Sequence, residues 1–215
     1  MHCLVCDCSP LEDEALFNRA YAAVSESRRA KADSFSYGNG RRSSLTAGLF
    51  LRLIENSFGE IAENADGKPL CEGIEFNISH SGHYVAFAFS DSPVGVDIER
   101  IGRGIDAAKK VMTASEYESL SDIVDAEERE EIFCRMWTAK ESYMKCLGLG
   151  IRLPPDSFRV LHGHEIRCAS NDYSIFEMDA PEGYCLSVCS ADAEVTYKVI
   201  TVEDILDAQT LGDLF

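Results

Sequence analysis

The chain has 215 residues, 46% hydrophobic and 27% charged, which excludes a disordered polypeptide and is enough to bury a sizeable core. Lys and Arg number 20 against 37 Asp and Glu, a formal net charge of −17, which excludes a surface built as a whole to coat nucleic acid or acidic lipid.

The first eight residues alternate Leu4, Cys6 and Cys8 with Val5 and Asp7, as a half-buried strand does. Cys3, Cys6 and Cys8 also read as soft metal ligands, but no second cysteine pair at zinc spacing follows, and His162 and His164 lie far along the chain. The N-terminus carries no basic start and Asp7 interrupts its apolar run, unlike a signal peptide. No apolar stretch approaches the ~18 residues of a spanning helix. A cytoplasmic protein with nine reduced cysteines is expected, with no membrane or nucleic-acid partner.

Ser9-Pro10 ends the first strand, and Leu11 to Phe35 reads as one helix with Leu16, Ala20, Ala23 and Val24 on its apolar face. Tyr37-Gly38-Asn39-Gly40 predicts a break. Leu45, Leu49, Leu53 and Ile54 then mark a second helix, stopped at Gly59. Asp66-Gly67-Lys68-Pro69 predicts a turn, followed by strands at Ile74 to Ser79, Tyr84 to Ser90 and Val94 to Glu99. After Gly104 the pattern is helical through Ala107 to Met112, Ser115 to Ile123 and a long helix from Ala126 to Leu147. Beyond Pro154-Pro155 come β-type runs at Phe158 to Leu161, Tyr173 to Met178, Tyr184 to Cys189 and Val195 to Val202. This order predicts an α+β fold in two halves, 1–93 and 94–215.

Charge is unevenly spread. Residues 28–54 carry Arg28, Arg29, Lys31, Arg41, Arg42 and Arg52 against Asp33 alone, a net of +5, whereas residues 113–131 sum to −7 and 171–215 to −9. One anion-receiving region on an acidic body is the expectation, with solvated helix faces as its plain rival.

Three stretches can carry chemistry. In Val94-Gly95-Val96-Asp97-Ile98-Glu99, strand alternation puts Asp97 and Glu99 on one face about 7 Å apart, suited to a hard dication or simply to a polar edge. In Trp137-Thr138-Ala139-Lys140-Glu141-Ser142-Tyr143-Met144-Lys145, Glu141 and Lys145 share a helix face and Lys140 lies about 100° away. On a helix this apolar, those charges need partners, and a metal and a phosphate would supply them. In Phe76-Asn77-Ile78-Ser79-His80-Ser81-Gly82-His83, a Ser/His pair with Lys68 nearby suits a phosphate. A Ser-His nucleophile lacks its elbow, and no Walker or dinucleotide loop is present.

Together with Gly67-Lys68-Pro69, these segments in this order resemble the surfactin-type 4'-phosphopantetheinyl transferases, from the first helix to about residue 160. The resemblance implies two pseudo-symmetric halves with coenzyme A in the cleft between them. It also implies transfer of the phosphopantetheine arm to a serine of an apo acyl or peptidyl carrier protein by a monomer of the holo-[acyl-carrier-protein] synthase type. By it, Asp97, Glu99 and Glu141 hold Mg²⁺, and Glu141 is the base for the incoming serine. Lys140 and Lys145 meet the pyrophosphate, and Gly67, Lys68 and Pro69 line the adenine side. Ser79, His80, Arg28, Lys31 and Arg42 surround the 3'-phosphate. The family's phosphate-binding arginine aligns with Ser43, which leaves Arg41 as a rival to Arg42. Carrier docking is expected through apolar contacts near Met112 to Val124 together with the basic helices, and residues Asp122 to Glu131 are expected to form an acidic loop. The alternatives are a non-catalytic coenzyme A or carrier-binding module of this fold, and a thiol-metal protein.

Overall fold

The computed structural model describes residues 1–36, 38–64, 67–102 and 105–215, with no side-chain description at 151. The expected break at Tyr37, the turn residue Asp66 and the boundary at Gly104 lie outside the described residues. In chain order the elements are β1 (His2–Asp7), α1 (Glu14–Ala23), α2 (Glu26–Asp33), α3 (Gly38–Phe58), β2 (Ile61–Glu63), β3 (Pro69–Cys71), β4 (Glu75–Ser81), β5 (Tyr84–Ser90) and β6 (Val94–Arg100). There follow α4 (Ala108–Val111), α5 (Ala114–Ser121), α6 (Ala126–Cys146), β7 (Leu161–His162), β8 (Glu165–Ile166), β9 (Ser174–Glu177), β10 (Tyr184–Ser190), β11 (Thr196–Ile200) and α7 (Val202–Asp207).

One sheet has the order β11-β1-β5-β4, with β11 parallel to β1, and a second has the order β6-β10-β9. Strand β1 is not half-buried as expected. Cys3, Leu4, Val5 and Cys6 are all fully buried, because the sheet is covered on both faces. Leu4 and Cys6 face the core formed with the helices, among Leu49, Phe50 and Leu53 of α3 and Ile205 of α7. Cys3 and Val5 face the core between the two sheets, against Val96, Ile98 and Val188. The N-terminal cysteines are therefore small apolar residues on opposite faces of one strand.

The predicted helix over residues 11–35 divides. Asp13 caps α1 by accepting from the Leu16 N–H at 2.9 Å, and Ser25 caps α2 by accepting from the Arg28 N–H at 3.3 Å. Arg29 donates to the Val24 carbonyl at 3.0 Å, which satisfies the end of α1. Asn39 and Gly40 fall inside the first turn of α3, where a break was expected. The last predicted strand stops at Ile200, because Thr201 and Asp204 form a capping box that starts α7, a helix the sequence pattern did not suggest. Residues from β11 to Leu214 thus return to the first sheet and its helical core.

The two sheets meet along a seam between β4 and β6. Asn77 Oδ1 accepts from the Val96 N–H at 3.0 Å, Ser79 Oγ from Ile98 at 3.4 Å and Ser81 Oγ from Arg100 at 3.2 Å. Every second side chain of β4 stands in for the carbonyl that a backbone ladder would offer, so the N–H groups on the edge of β6 away from β10 are satisfied without a second ladder.

Helix α6 crosses β6 at Gly95, where a Cβ would lie 2.1 Å from the Ser142 carbonyl oxygen and 2.4 Å from the Cys146 nitrogen. Both obstacles are backbone, so Gly95→Ala must push the helix off the sheet. Such overpacking costs about 3 kcal/mol or more. Urea unfolding is expected to show that loss, and a loss under ~0.5 kcal/mol would contradict so close an approach of helix and strand.

Candidate active site

The seam fixes the spacing of the site. Ser79 and Ser81 of β4 lie beside Asp97 and Glu99 of β6: Ser79 Oγ donates to Asp97 Oδ1 at 2.7 Å and Ser81 Oγ to Glu99 Oε2 at 2.8 Å. Because α6 crosses at Gly95, Glu141 and Lys145, one turn apart, reach the same seam. Lys145 Nζ lies 2.6 Å from Asp97 Oδ1 and 3.2 Å from both Ser79 Oγ and the Val96 carbonyl.

These groups line a cleft of about 330 Å³ that holds Ser79, His80, Asp97, Glu99, Glu141 and Lys145 together, with Trp137. Past His80 and Trp137 it continues into a depression of about 720 Å³ that reaches Asn39 and Ser43 of α3. Past Lys145 it continues into one of about 510 Å³ lined by Lys68, Asn77, Arg152 and the turn Gly148-Leu149-Gly150. The result is a groove across the seam with three carboxylates and a lysine at its middle.

The electrostatics are those of a site short of cations. Burial pushes the Asp97 carboxyl above its ordinary value, against the opposing pull of Lys145 and Ser79, and Asp97 Oδ2 has no hydrogen-bond partner although it is buried. Burial likewise pushes Glu141 up. Lys145 opposes this, while Asp97 and Glu99 add to it. Desolvation lowers His80 and the charge of Lys145 lowers it further, while Glu99 and Asp97 oppose them and Lys31 adds a smaller pull.

Lys140 is a correction to the sequence reading. Its position about 100° around the helix from Glu141 turns it away from the cleft, and it is fully buried. Its ammonium pairs with Glu116 of α5 at 2.9 Å and donates to the carbonyls of Pro155, at 2.7 Å, and Phe158. It is a buried structural charge with no route to a pyrophosphate in the groove. Pro69 lines a depression with Glu75 and Phe76, and Gly67, at φ +76°, precedes Lys68, which lines the groove.

The basic segment is partly consumed by the fold. Arg29 caps α1, and Arg52 donates to the carbonyls of Ile205, Leu206 and Ala208 at the end of α7. Arg41 pairs with Asp33 at 2.7 Å and lies over the Phe17 ring, and Arg42 pairs with Glu12 at 3.0 Å. Arg28 packs over Gly48 of α3, with burial lowering its pKa, and Lys31 is exposed.

Within the expected docking segment, Met112 and Leu120 face the core, leaving Tyr117 and Val124 as its exposed large apolar residues. The expected acidic loop is largely the start of α6, where Glu127 and Glu128 occupy the first turn and complement the helix dipole. Ser81, Asn77 and Trp137 were not assigned roles from sequence; the alternation Asn77, Ser79, Ser81 was the available signal. Among the described residues, no three carboxylate, imidazole or thiol groups converge as a preformed metal site.

A seam of serines and carboxylates, with a helix delivering one acid and one lysine, is chemically able to receive a phosphorylated ligand together with a cation. Residues 93–196 match the 4'-phosphopantetheinyl transferase superfamily, a span that runs from β6 through α6 and β10. Over 208 residues the chain is 32% identical to a 4'-phosphopantetheinyl transferase of Bacillus subtilis, covering 88% of this chain and 92% of that one. It is 29% identical over 209 residues to the 4'-phosphopantetheinyl transferase Sfp of Bacillus subtilis (strain 168), covering 87% and 92%. To the transferase gsp of Aneurinibacillus migulanus it is 36% identical over 160 residues, covering 71% and 66%. The chain belongs to the 4'-phosphopantetheinyl transferase family.

Proposed function

We propose that this protein transfers the 4'-phosphopantetheine group of coenzyme A to a serine hydroxyl of an apo carrier protein, releasing 3',5'-ADP, in the groove across the β4–β6 seam. The observation that carries this reading is the meeting of Asp97, Glu99, Glu141 and Lys145 in one cleft, in a chain that aligns with such transferases along most of its length. Phosphoryl transfer is catalysed mostly by positioning and charge neutralisation, which that set can provide.

Glu141 accepts the proton of the incoming serine, directly or through a water. Lys145 exchanges its contact with Asp97 for the pyrophosphate oxygens. Lys31, Arg28 and His80, with Ser79, receive the 3'-phosphate, and Lys68 borders the adenine side. Asp97, Glu99 and Glu141 are the residues that would hold a magnesium ion. The unpartnered buried oxygen of Asp97 and the mutual repulsion of the three carboxylates fit a hard, oxygen-seeking dication. Such an ion supplies neutralising charge to the pyrophosphate oxygens.

Incubation with coenzyme A, Mg²⁺ and a panel of apo carrier proteins is expected to add one phosphopantetheine mass to at least one carrier by intact mass spectrometry. No mass gain on any of them would overturn the assignment.

The carrier docks beside the groove on Val124 and Tyr117. Val124 is 96% exposed, so Val124→Asp leaves the fold intact. It places a charge that docking would have to strip of water where an apolar contact stood. Steady-state kinetics are expected to show KM for the carrier rising roughly tenfold, about 1.4 kcal/mol of lost contact, with KM for coenzyme A unchanged. An unchanged carrier KM would move the docking surface elsewhere.

A further inference from the structure

Ser81 is the last residue of β4 and is buried. Its Oγ accepts from the Arg100 N–H at 3.2 Å and donates to Glu99 Oε2 at 2.8 Å. A serine hydroxyl has a single proton to give. With a backbone donor already pointing at the oxygen, that proton is committed to the carboxylate.

The two acids of β6 are supported unequally. Asp97 is short and buried, and both Ser79 and Lys145 reach its Oδ1, at 2.7 Å and 2.6 Å. Glu99 has the longer side chain, with more rotamer freedom to lose, and is only half-buried. Among the described residues, its carboxylate accepts from Ser81 alone. The direction of that carboxylate therefore depends on one contact, while the backbone on either side is fixed. Ser81 pairs with Tyr84 in the β4–β5 ladder, and Gly82, at φ +56°, turns the chain directly after it. A Cβ at Gly82 would lie 2.1 Å from the Tyr184 hydroxyl, so a ring from β10 closes over this turn. Glu99 itself pairs with Cys185 of β10, and its carbonyl accepts from the Cys134 thiol of α6 at 3.5 Å. What remains free is the side chain of Glu99, and Ser81 removes that freedom.

We infer that Ser81 is a positioning residue, whose hydroxyl holds the Glu99 carboxylate ready for a divalent cation in the groove. The inference rests on the reading of Asp97, Glu99 and Glu141 as the residues that would hold such an ion. A carboxylate oriented in advance has less freedom to surrender on binding. Removing the group that orients a metal ligand weakens metal affinity by about 10- to 100-fold. Asp97 keeps Lys145 if its serine is lost, whereas Glu99 has no second support among the described residues.

The test reads Mn²⁺, which takes the same oxygen ligands as Mg²⁺. Free Mn²⁺ is followed by its EPR signal during titration of the full-length protein with coenzyme A and no carrier, and binding to coenzyme A alone is subtracted. Ser81→Ala is expected to weaken Mn²⁺ binding about tenfold, with Tm in chelator lowered by only a few degrees. In a Glu99→Gln background the same serine change should cost less than about twofold, because no carboxylate is left to orient. The Mg²⁺ concentration for half-maximal carrier modification should rise in Ser81→Ala by a similar factor, with the rate at saturating Mg²⁺ within a few-fold of wild type. Should Ser81→Ala not fold, Ser81→Cys, of similar volume but with only a weak S–H donor, carries the same expectations. Unchanged Mn²⁺ affinity in the folded serine variant, or an equal loss in both backgrounds, would overturn the inference and leave the metal assignment standing. Failure of the wild-type protein to bind Mn²⁺ would overturn the metal assignment and this inference with it.

Discussion

Glu141→Gln is expected to lower the rate of carrier modification by about 10²–10⁴-fold, because it removes both the base for the incoming serine and one of the three carboxylates that would hold the magnesium ion. The stability of the same variant moves the other way. Burial raises the folded pKa of Glu141 above its ordinary 4.5. A group raised in this way contributes stability below its unfolded pKa and loses it as pH rises through the folded value. At pH 7 the buried carboxylate therefore opposes folding, and its neutral isostere does not. Thermal unfolding with a chelator present is expected to show Glu141→Gln at the wild-type Tm or above it. A folded Glu141→Gln variant that keeps wild-type activity would remove Glu141 from this role.

Lys140→Met is expected to destabilise the protein by about 3–5 kcal/mol and to lower Tm by roughly 10 °C, because it strands the Glu116 carboxylate, itself fully buried, without its ammonium. Glu116 is held well enough to matter. Although burial pushes its pKa up, hydrogen bonds from the Val160 N–H at 2.7 Å, from Lys140 and from Thr113 keep it below the ordinary value. Burial lowers Lys140, with Glu116 opposing. Glu116→Gln alone should cost a similar amount by stranding the lysine. The double variant Glu116→Gln/Lys140→Met should be more stable than the sum of the two singles predicts, since neither buried charge remains. Below the lowered Tm, kcat and KM for coenzyme A should stay near wild type. A tenfold rise in KM for coenzyme A in well-folded Lys140→Met would return Lys140 to the pyrophosphate.

Both outcomes concern adjacent residues of α6, and they separate what a sequence pattern can say from what packing decides. The motif around Trp137 and the i, i+4 spacing of Glu141 and Lys145 identified the helix and the face that reaches the site. Strand alternation likewise paired Asp97 with Glu99. Side-chain periodicity is local geometry, so it is legible without the fold. Which of two neighbouring lysines faces the cleft is not local. It depends on Glu116 and on the Pro155 and Phe158 carbonyls, which reach Lys140 from other parts of the chain.

The charge of −17 behaves in the same way. The sequence by itself determined that the chain is globular, that its acids avoid residues 28–54, and that four motifs stand in the order of a phosphopantetheinyl transferase. Only the tertiary structure decided how those charges are used. Arg29 and Arg52 close helix ends, Arg41 and Arg42 carry acidic partners, and Glu127 and Glu128 begin a helix instead of a loop. A count of charges adds residues one at a time, whereas their function depends on partners that folding brings from distant sequence into van der Waals range. For the same reason β1 was legible as a strand but not as one buried on both faces, since the second sheet that covers it is built from β6 onward.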